Sequence, residues 1–108
     1  MLQSGQIEVR KTEAFERWLR SVRDFQARAR ILARVVRLGE GHAGDARSVG
    51  GGVMELRIHF GPGIRVYFAR IGDRVVLLLG GGDKSTQARD IAAAVAVKQR
   101  LDGENDEN

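Results

Sequence analysis

The chain has 108 residues, of which 43% are hydrophobic, 30% are charged and none is cysteine. This length allows one domain with a modest core, and the lack of cysteine excludes a disulfide framework and a thiolate metal site. Residues 1–101 carry 18 basic and 10 acidic side chains, and 15 of the bases are arginine, whose planar guanidinium group matches phosphate geometry. This excess favours a polyanionic partner such as RNA or DNA, with a plain solubility charge as the alternative.

The first half of the chain predicts a short strand and two helices. Apolar residues alternate with polar ones over residues 7–10, which is typical of a strand. Thr12 and Asp24 are each placed to cap a helix, and the short connection between the two helices predicts a hairpin. Residues 39–52 contain six glycines and predict a loop. The apolar residues at helical spacing are Phe15, Trp18, Leu19 and Val22 in the first helix, and Phe25, Ala29, Leu32 and Val36, with Ile31 and Val35 nearby, in the second.

The second half predicts three strands and a last helix. Residues 53–60 and 64–69 alternate with period two on either side of a Gly-Pro-Gly turn. The continuous apolar run at 75–79 predicts a strand buried on both faces, which the three glycines at 80–82 end. A helix follows over 84–101, and the acidic tail at 102–108 is expected to be disordered.

This order predicts an α+β fold in a single domain over residues 1–101. An N-terminal strand and a helical hairpin precede a three-stranded antiparallel meander and a C-terminal helix, and the helices cover one face of a four-stranded sheet. The longest apolar run is too short to cross a membrane, and the first residues lack the apolar stretch of a signal peptide. We therefore expect a cytoplasmic protein with no membrane partner.

Two neighbouring strands place basic and aromatic side chains on a common face. Arg57 and His59 are two residues apart on one strand, and Arg65 and Tyr67 are two apart on the next, so each pair points the same way. The apolar residues between them would fill the other face, against the helices. The sequence therefore predicts an open, cationic sheet face of the kind that binds RNA.

Three segments together resemble the RelE/ParE toxin superfamily, in its phage-like and HigB-like branch of addiction module killer proteins. They are IEVRKTEAFERWL near the start, GVMELRIHFGPGIRVYFAR in the middle and LLLGGGDKSTQARDIAAA after it, and the resemblance covers residues 7–97. It rests on the order and spacing of the arginine-bearing hairpin, the GGDK turn and the glutamine and aspartate that follow.

The resemblance implies roles for six residues. Arg57 and His59 match the two basic strand residues of RelE-like toxins, Arg65 matches a phosphate-binding arginine, and Lys84 matches a basic residue of the active site. Asp90 stands where RelE has a tyrosine, which leaves the proton-transfer groups open. We expect His59 to move a proton, because histidine changes charge near neutral pH. Arg57, Arg65 and Lys84 would stabilise the phosphate, and Asp90 or Tyr67 would orient or share the proton transfer.

Each of these residues also has a purely structural interpretation. His59 and Arg65 could be surface strand residues, Tyr67 a packing residue, Lys84 the first residue of a helix, and Asp90 an ion-pair partner of an arginine. A further set, Arg30, Arg34 and Arg37, lies at helical spacing on the second helix. It is either a solvated face or a contact for RNA or for an acidic protein.

Three functions remain open at this point. RelE-like members are ribosome-dependent endoribonucleases that cut messenger RNA without a metal or cofactor, whereas ParE-like members share the fold and poison DNA gyrase. The first reading makes this chain the toxin of a type II toxin–antitoxin system, with messenger RNA and the ribosome as targets. Its partner would be a helix-turn-helix antitoxin, through which the complex would bind operator DNA. A plain RNA-binding module of the same fold is the third possibility.

Overall fold

A five-stranded mixed sheet organises the chain in a computed structural model that describes residues 7–106. The strand order is β1-β5-β4-β3-β2; β1 runs parallel to β5, and every other pair is antiparallel. The α+β class is confirmed. The elements are β1 (Glu8–Lys11), α1 (Glu13–Ser21), α2 (Phe25–Gly39), β2 (Ala46–Gly50), β3 (Val53–Ile58), β4 (Ile64–Ile71), β5 (Val75–Asp83), one 3₁₀ turn (Lys84–Thr86) and α3 (Gln87–Asp106).

The helix starts follow the local sequence signals. Thr12 Oγ1 accepts a hydrogen bond from the backbone N–H of Phe15 at 3.2 Å, and Asp24 Oδ1 accepts one from the N–H of Gln26 at 2.8 Å. Both caps therefore begin helices where the sequence analysis placed them. The two helices are joined by three residues, as expected for a hairpin.

The prediction of four strands is wrong, because β2 lies inside the segment interpreted as a loop. It pairs with β3 through the register Ala46↔Leu56 and Arg47↔Glu55. The glycines at 50–52 join the two strands, and all three have positive φ angles, between 64° and 97°. Such angles are readily adopted by glycine, so these residues form a tight turn between strands.

Helices cover both faces of the sheet, so the prediction of one covered face is also wrong. α1 and α2 pack on the face that carries Leu56, Val66 and Phe68. α3 packs through Ala94 and Val97 on the other face, where Tyr67 is fully buried. The face predicted to be open is therefore closed over most of its length.

α2 buries a different stripe from the one that the sequence analysis emphasised. Ala27, Ile31, Val35 and Leu38 form its core face. Three of the apolar residues singled out by their helical spacing are exposed: Phe25 by 81%, Leu32 by 39% and Val36 by 60%.

β5 continues through its three glycines to Asp83 instead of ending at them. A Cβ atom at Gly81 would come within 2.5 Å of the Trp18 ring, and one at Gly82 would overlap the carboxylate of Asp90. These two glycines therefore let α1 and α3 approach the strand backbone closely from opposite faces.

α3 extends five residues into the segment predicted to be a disordered tail, which is wrong for residues 102–106. Lys98 Nζ donates to Asp102 Oδ2 at 2.7 Å, four residues on, which supports the helix there. Residues 1–6 and 107–108 lie outside the described part of the chain. Among the described helices, none is long and apolar enough to span a membrane.

Candidate nucleic-acid interface

The register of the sheet brings two arginines directly opposite each other. Arg57 on β3 pairs with Arg65 on β4, and Arg65 pairs with Gly82 on β5. Residues paired across strands project on the same face. Arg57, Arg65 and the backbone of Gly82, with Asp90 above it, therefore form one row across three strands.

Asp45 forms hydrogen bonds with two of the residues proposed for the site. One of its oxygens accepts hydrogen bonds from Arg57 Nη2 at 2.7 Å and Nε at 3.1 Å, and the other lies 2.7 Å from His59 Nε2. The hydrogen bonds from His59 and Arg57 lower the pKa of Asp45. His59 lies just past the end of β3 and its side chain is 77% exposed, so its ring is oriented by Asp45 and remains accessible.

Arg65 is the buried cation of the site. The residue is only 9% exposed, and its Nε has no hydrogen-bond partner among the described residues. Its nearest acid is Glu55, with 3.8 Å between Nε and Oε2. A Cβ at Gly63 would lie 3.4 Å from Arg65 Nη1 and 3.6 Å from the Cβ of Lys84, so the two cations border the same turn.

A fully buried glutamate, Glu55, lies next to this row on the same face of the sheet. Glu55 Oε2 accepts hydrogen bonds from Gln87 Nε2 at 2.6 Å and from the Tyr67 hydroxyl at 3.0 Å, and Oε1 accepts one from Arg47 Nε at 3.0 Å. Burial alone would raise the pKa of Glu55, but the hydrogen bonds from Gln87, Arg47 and Tyr67 outweigh it and hold the pKa below its usual value. Glu55 thus ties β2, β3, β4 and the first residue of α3 together.

Tyr67 belongs to this buried network and not to the surface. It is fully buried, and its hydroxyl donates to Glu55. Burial, reinforced by the nearby negative charge of Glu55, raises the pKa of the Tyr67 phenol strongly. The hydroxyl is therefore held neutral and is directed at Glu55.

Asp90 lies at the first turn of α3, over the backbone of Gly82. Its Oδ2 accepts a hydrogen bond from the Thr86 hydroxyl, and its Oδ1 is 3.8 Å from Arg89 Nε. The predicted ion pair of Asp90 with Arg57 or Arg65 is not formed. The positive end of the helix dipole favours a charged carboxylate at this position.

The three arginines of α2 do not form one solvated stripe. Arg34 donates from Nη1 to the backbone oxygen of Arg57 at 2.8 Å and from Nη2 to that of Ala43 at 3.0 Å, so it supports the end of β3. The guanidinium of Arg30 lies 4.7 Å from the centre of the Phe60 ring, and Arg37 is exposed.

Sequence reasoning missed two residues of the site, Asp45 and Glu55. Glu55 shares the alternating side of β3 with Arg57, which was its available signal. Asp45 gave none, because it precedes a strand that was interpreted as a loop. Within residues 7–106, no three potential ligands gather in a way that would hold a metal ion.

This arrangement could bind and polarise a phosphodiester. Two paired arginines and Lys84 supply positive charge, His59 supplies an accessible proton-transfer group, and the N-terminal end of α3 adds a favourable field for an anion. Because Arg65 is fixed by its surroundings, it would need little reorganisation to stabilise a phosphate in the transition state.

Comparison with known proteins gives three findings. Residues 17–102 match the model of the phage-derived Gp49-like protein family. An uncharacterized protein of Haemophilus influenzae is 44% identical over 95 residues, which cover 88% of this chain and 96% of the relative. The solved structure of free Escherichia coli toxin RelE, in a double arginine-to-alanine variant, superposes with a TM-score of 0.67 at 15% identity, covering 84% of this chain and 96% of RelE. The predicted resemblance to phage-derived proteins is thereby confirmed for the family, and the predicted resemblance to RelE is confirmed for the fold.

Proposed function

This chain belongs to the Gp49-like family of phage-derived proteins, and we propose that it is the toxin of a toxin–antitoxin pair that cuts messenger RNA on the ribosome. The RelE-like fold supports the toxin assignment. The observation that carries the nuclease assignment is the row formed by Arg57 and Arg65, in which a buried guanidinium has an Nε with no hydrogen bond among the described residues and lies beside a second arginine.

The proposed reaction is an attack of a 2′-hydroxyl on the adjacent phosphate. The oxygen–phosphorus bond to the 2′ position forms as the bond to the leaving 5′-oxygen breaks, which gives a 2′,3′-cyclic phosphate and a free 5′-hydroxyl. His59, oriented by Asp45, would move a proton at the 2′- or 5′-oxygen. Arg57, Arg65 and Lys84 would stabilise the charge that develops on the phosphate.

Asp90 and Tyr67 have other parts in this proposal. Tyr67 acts through Glu55 as a buried support of the Arg65 strand, because its hydroxyl is already bound. Asp90, fixed by Thr86 and Gly82, is an acceptor at the edge of the site. The exposed Arg30 and Arg37 would add contacts to RNA, whereas Arg34 holds the fold.

The partner that this function requires is an antitoxin, which we infer to be a helix-turn-helix protein that carries the complex to operator DNA. α2 presents Phe25, Leu32 and Val36 to solvent, and apolar patches of this kind are common contacts for other proteins. Covering them would give the antitoxin a binding surface separate from the arginine row.

Variants expressed in growing cells test this function. Arg65→Ala and His59→Ala should each lower the rate of messenger RNA cleavage by roughly 100-fold or more, because each removes a group that acts in the transition state. Transcript 5′ ends mapped after induction should show cuts within translated codons for the native chain and few for either variant.

Arg74→Ala is the matched control, since it removes an exposed arginine from the turn after β4. It should cut as the native chain does, and circular dichroism should show that all variants are folded. DNA breaks without RNA cuts would support gyrase poisoning instead. Unchanged cleavage in both site variants would refute the site.

A further inference from the structure

A cavity of about 440 Å³ lies beside the arginine row, along the outer edge of β5. β1 pairs with β5 only as far as Leu78, and no strand within residues 7–106 pairs with the edge beyond it. The cavity fills this gap between α1, the β3–β4 turn and the start of α3. A cavity of this size can hold one nucleotide-sized group.

Two fixed side chains form its walls. The ring of Trp18 lies against Gly81 on one face of β5, and the carboxylate of Asp90 lies against Gly82 on the other. Neither glycine can carry a Cβ atom without a clash, because each side chain lies in direct contact with the strand backbone. The cavity thus combines a flat aromatic surface with a held hydrogen-bond acceptor.

The charge of the lining argues against a phosphate inside the cavity. Three carboxylates, from Asp24, Asp83 and Asp90, face two guanidinium groups, from Arg23 and Arg89. Asp24 and Asp83 are used as caps for α2 and the 3₁₀ turn, whereas Asp90 caps neither. A neutral, planar ligand with N–H donors fits this lining better than an anion does.

The cavity is also continuous with the proposed phosphate site. Gly82 lines it and pairs with Arg65, which pairs with Arg57. Neighbouring strands are about 4.8 Å apart, so the backbone of Gly82 lies one strand spacing from that of Arg65. One nucleotide could therefore place its phosphate on the arginines and its base in the cavity.

We propose that this cavity receives a guanine base of the RNA substrate, with Trp18 as its flat wall and Asp90 as the acceptor of two hydrogen bonds. Guanine presents the N1–H and 2-amino donors side by side, which matches the two oxygens of a carboxylate. Each other base pairs its donor with a neighbouring acceptor, which a carboxylate would repel. The proposal rests on the proposed function for its RNA substrate, and it adds a base preference to that function.

Nucleoside binding to the full chain tests the proposal through the fluorescence of Trp18, the single tryptophan of the sequence. Guanosine should quench the fluorescence with saturation, inosine, which lacks the 2-amino group, should bind more weakly, and adenosine should bind least. Asp90→Asn should weaken guanosine binding by roughly tenfold, because an amide cannot accept both hydrogen bonds. Asp73→Asn, in an exposed turn, should leave it unchanged.

A second pair of variants keeps the proposal testable if Asp90→Asn does not fold. Gly82→Ala should displace the Asp90 carboxylate and weaken guanosine binding, whereas Gly103→Ala, where an added Cβ meets no atom within 4 Å, should not. Equal quenching by all nucleosides would overturn the proposal. So would saturable quenching by acetyl-arginine amide in place of guanosine, since it would assign the cavity to a basic side chain of a protein partner.

Cut-site mapping separates this proposal from the proposed function. RNA cuts with no guanine enriched at any position around the cut would overturn the base site while leaving the nuclease in place. Selective guanosine binding by a chain that cuts no RNA would leave the base site in place and overturn the nuclease.

Discussion

Arg57 and Arg65 face each other across two strands, and like charges in that position destabilise a sheet. Nearby carboxylates offset this repulsion, but more strongly at Arg57 than at Arg65. Asp45 forms a short hydrogen bond with Arg57, whereas Glu55 forms only a long ion pair with Arg65, 3.8 Å from its Nε. The pair is therefore only partly neutralised, and a bound phosphate would supply the missing negative charge.

Glu55 gives a prediction for stability against pH. Its pKa is held below the usual value in the folded chain, so its contribution to the free energy of unfolding is present above the unfolded pKa. This contribution is lost as the pH falls through the lowered, folded value. Glu55→Gln should cost roughly 1–3 kcal/mol at neutral pH and should reduce the loss of stability on acidification, as measured by urea unfolding from pH 7 to pH 3.

Glu40→Gln is the matched control, because Glu40 is exposed at the end of α2. Its unfolding curve should follow that of the native chain at every pH. If the Glu55→Gln and native curves fall in parallel with pH, Glu55 does not provide the acid-sensitive stability.

The charged residues of the site were predictable where a strand period and a family resemblance agreed. Arg57 and Arg65 followed from alternation on neighbouring strands, and Lys84 and Asp90 from their order after the glycines. The burial of Tyr67 did not follow, because alternation places it on the same face as Arg65 but does not show which helix lies above. The role of Asp45 could not be predicted without β2, and no local sequence pattern indicated that strand.

At the scale of elements, α2 shows why the sequence can predict a helix without predicting which of its faces is buried. One stripe of α2 contains Ile31, Val35 and Leu38, and another contains Phe25, Leu32 and Val36. Both have helical period and both are apolar, so periodicity alone does not choose between them. Packing against the sheet selects the first stripe and leaves the second exposed.

Gly81 gives a prediction for how α1 meets β5. A Cβ there would lie 2.5 Å from the Trp18 ring, so the ring, or α1 with it, would have to shift. Gly81→Ala should lower the free energy of unfolding by about 1–3 kcal/mol, as overpacking does elsewhere. The midpoint of urea unfolding measures it.

The same substitution in open space provides the control. Gly103→Ala, within α3, should raise the free energy of unfolding by about 0.5–1 kcal/mol, because alanine favours a helix more than glycine does. Equal stability of native and Gly81→Ala chains would show that Trp18 does not lie against β5.

For the whole molecule, the decisive feature is that α3 closes most of the second sheet face. The sequence predicts an open cationic surface, whereas the structure concentrates the arginine row, His59 and Lys84 at the end of the sheet where α3 begins. A confined site of this kind positions one phosphate more precisely than an open face would. Asp102 and Glu104 lie at the far end of α3, away from this site.

Cleavage of a defined messenger RNA by the purified chain is the decisive test of the nuclease assignment. We expect cuts only when the RNA is bound in the decoding site of a ribosome, with a 2′,3′-cyclic phosphate on the upstream product. Arg65→Ala should leave the RNA intact, and Arg74→Ala should cut it as the native chain does. Intact RNA with the native chain, together with gyrase-linked DNA breaks, would show that the chain is not a messenger RNA nuclease.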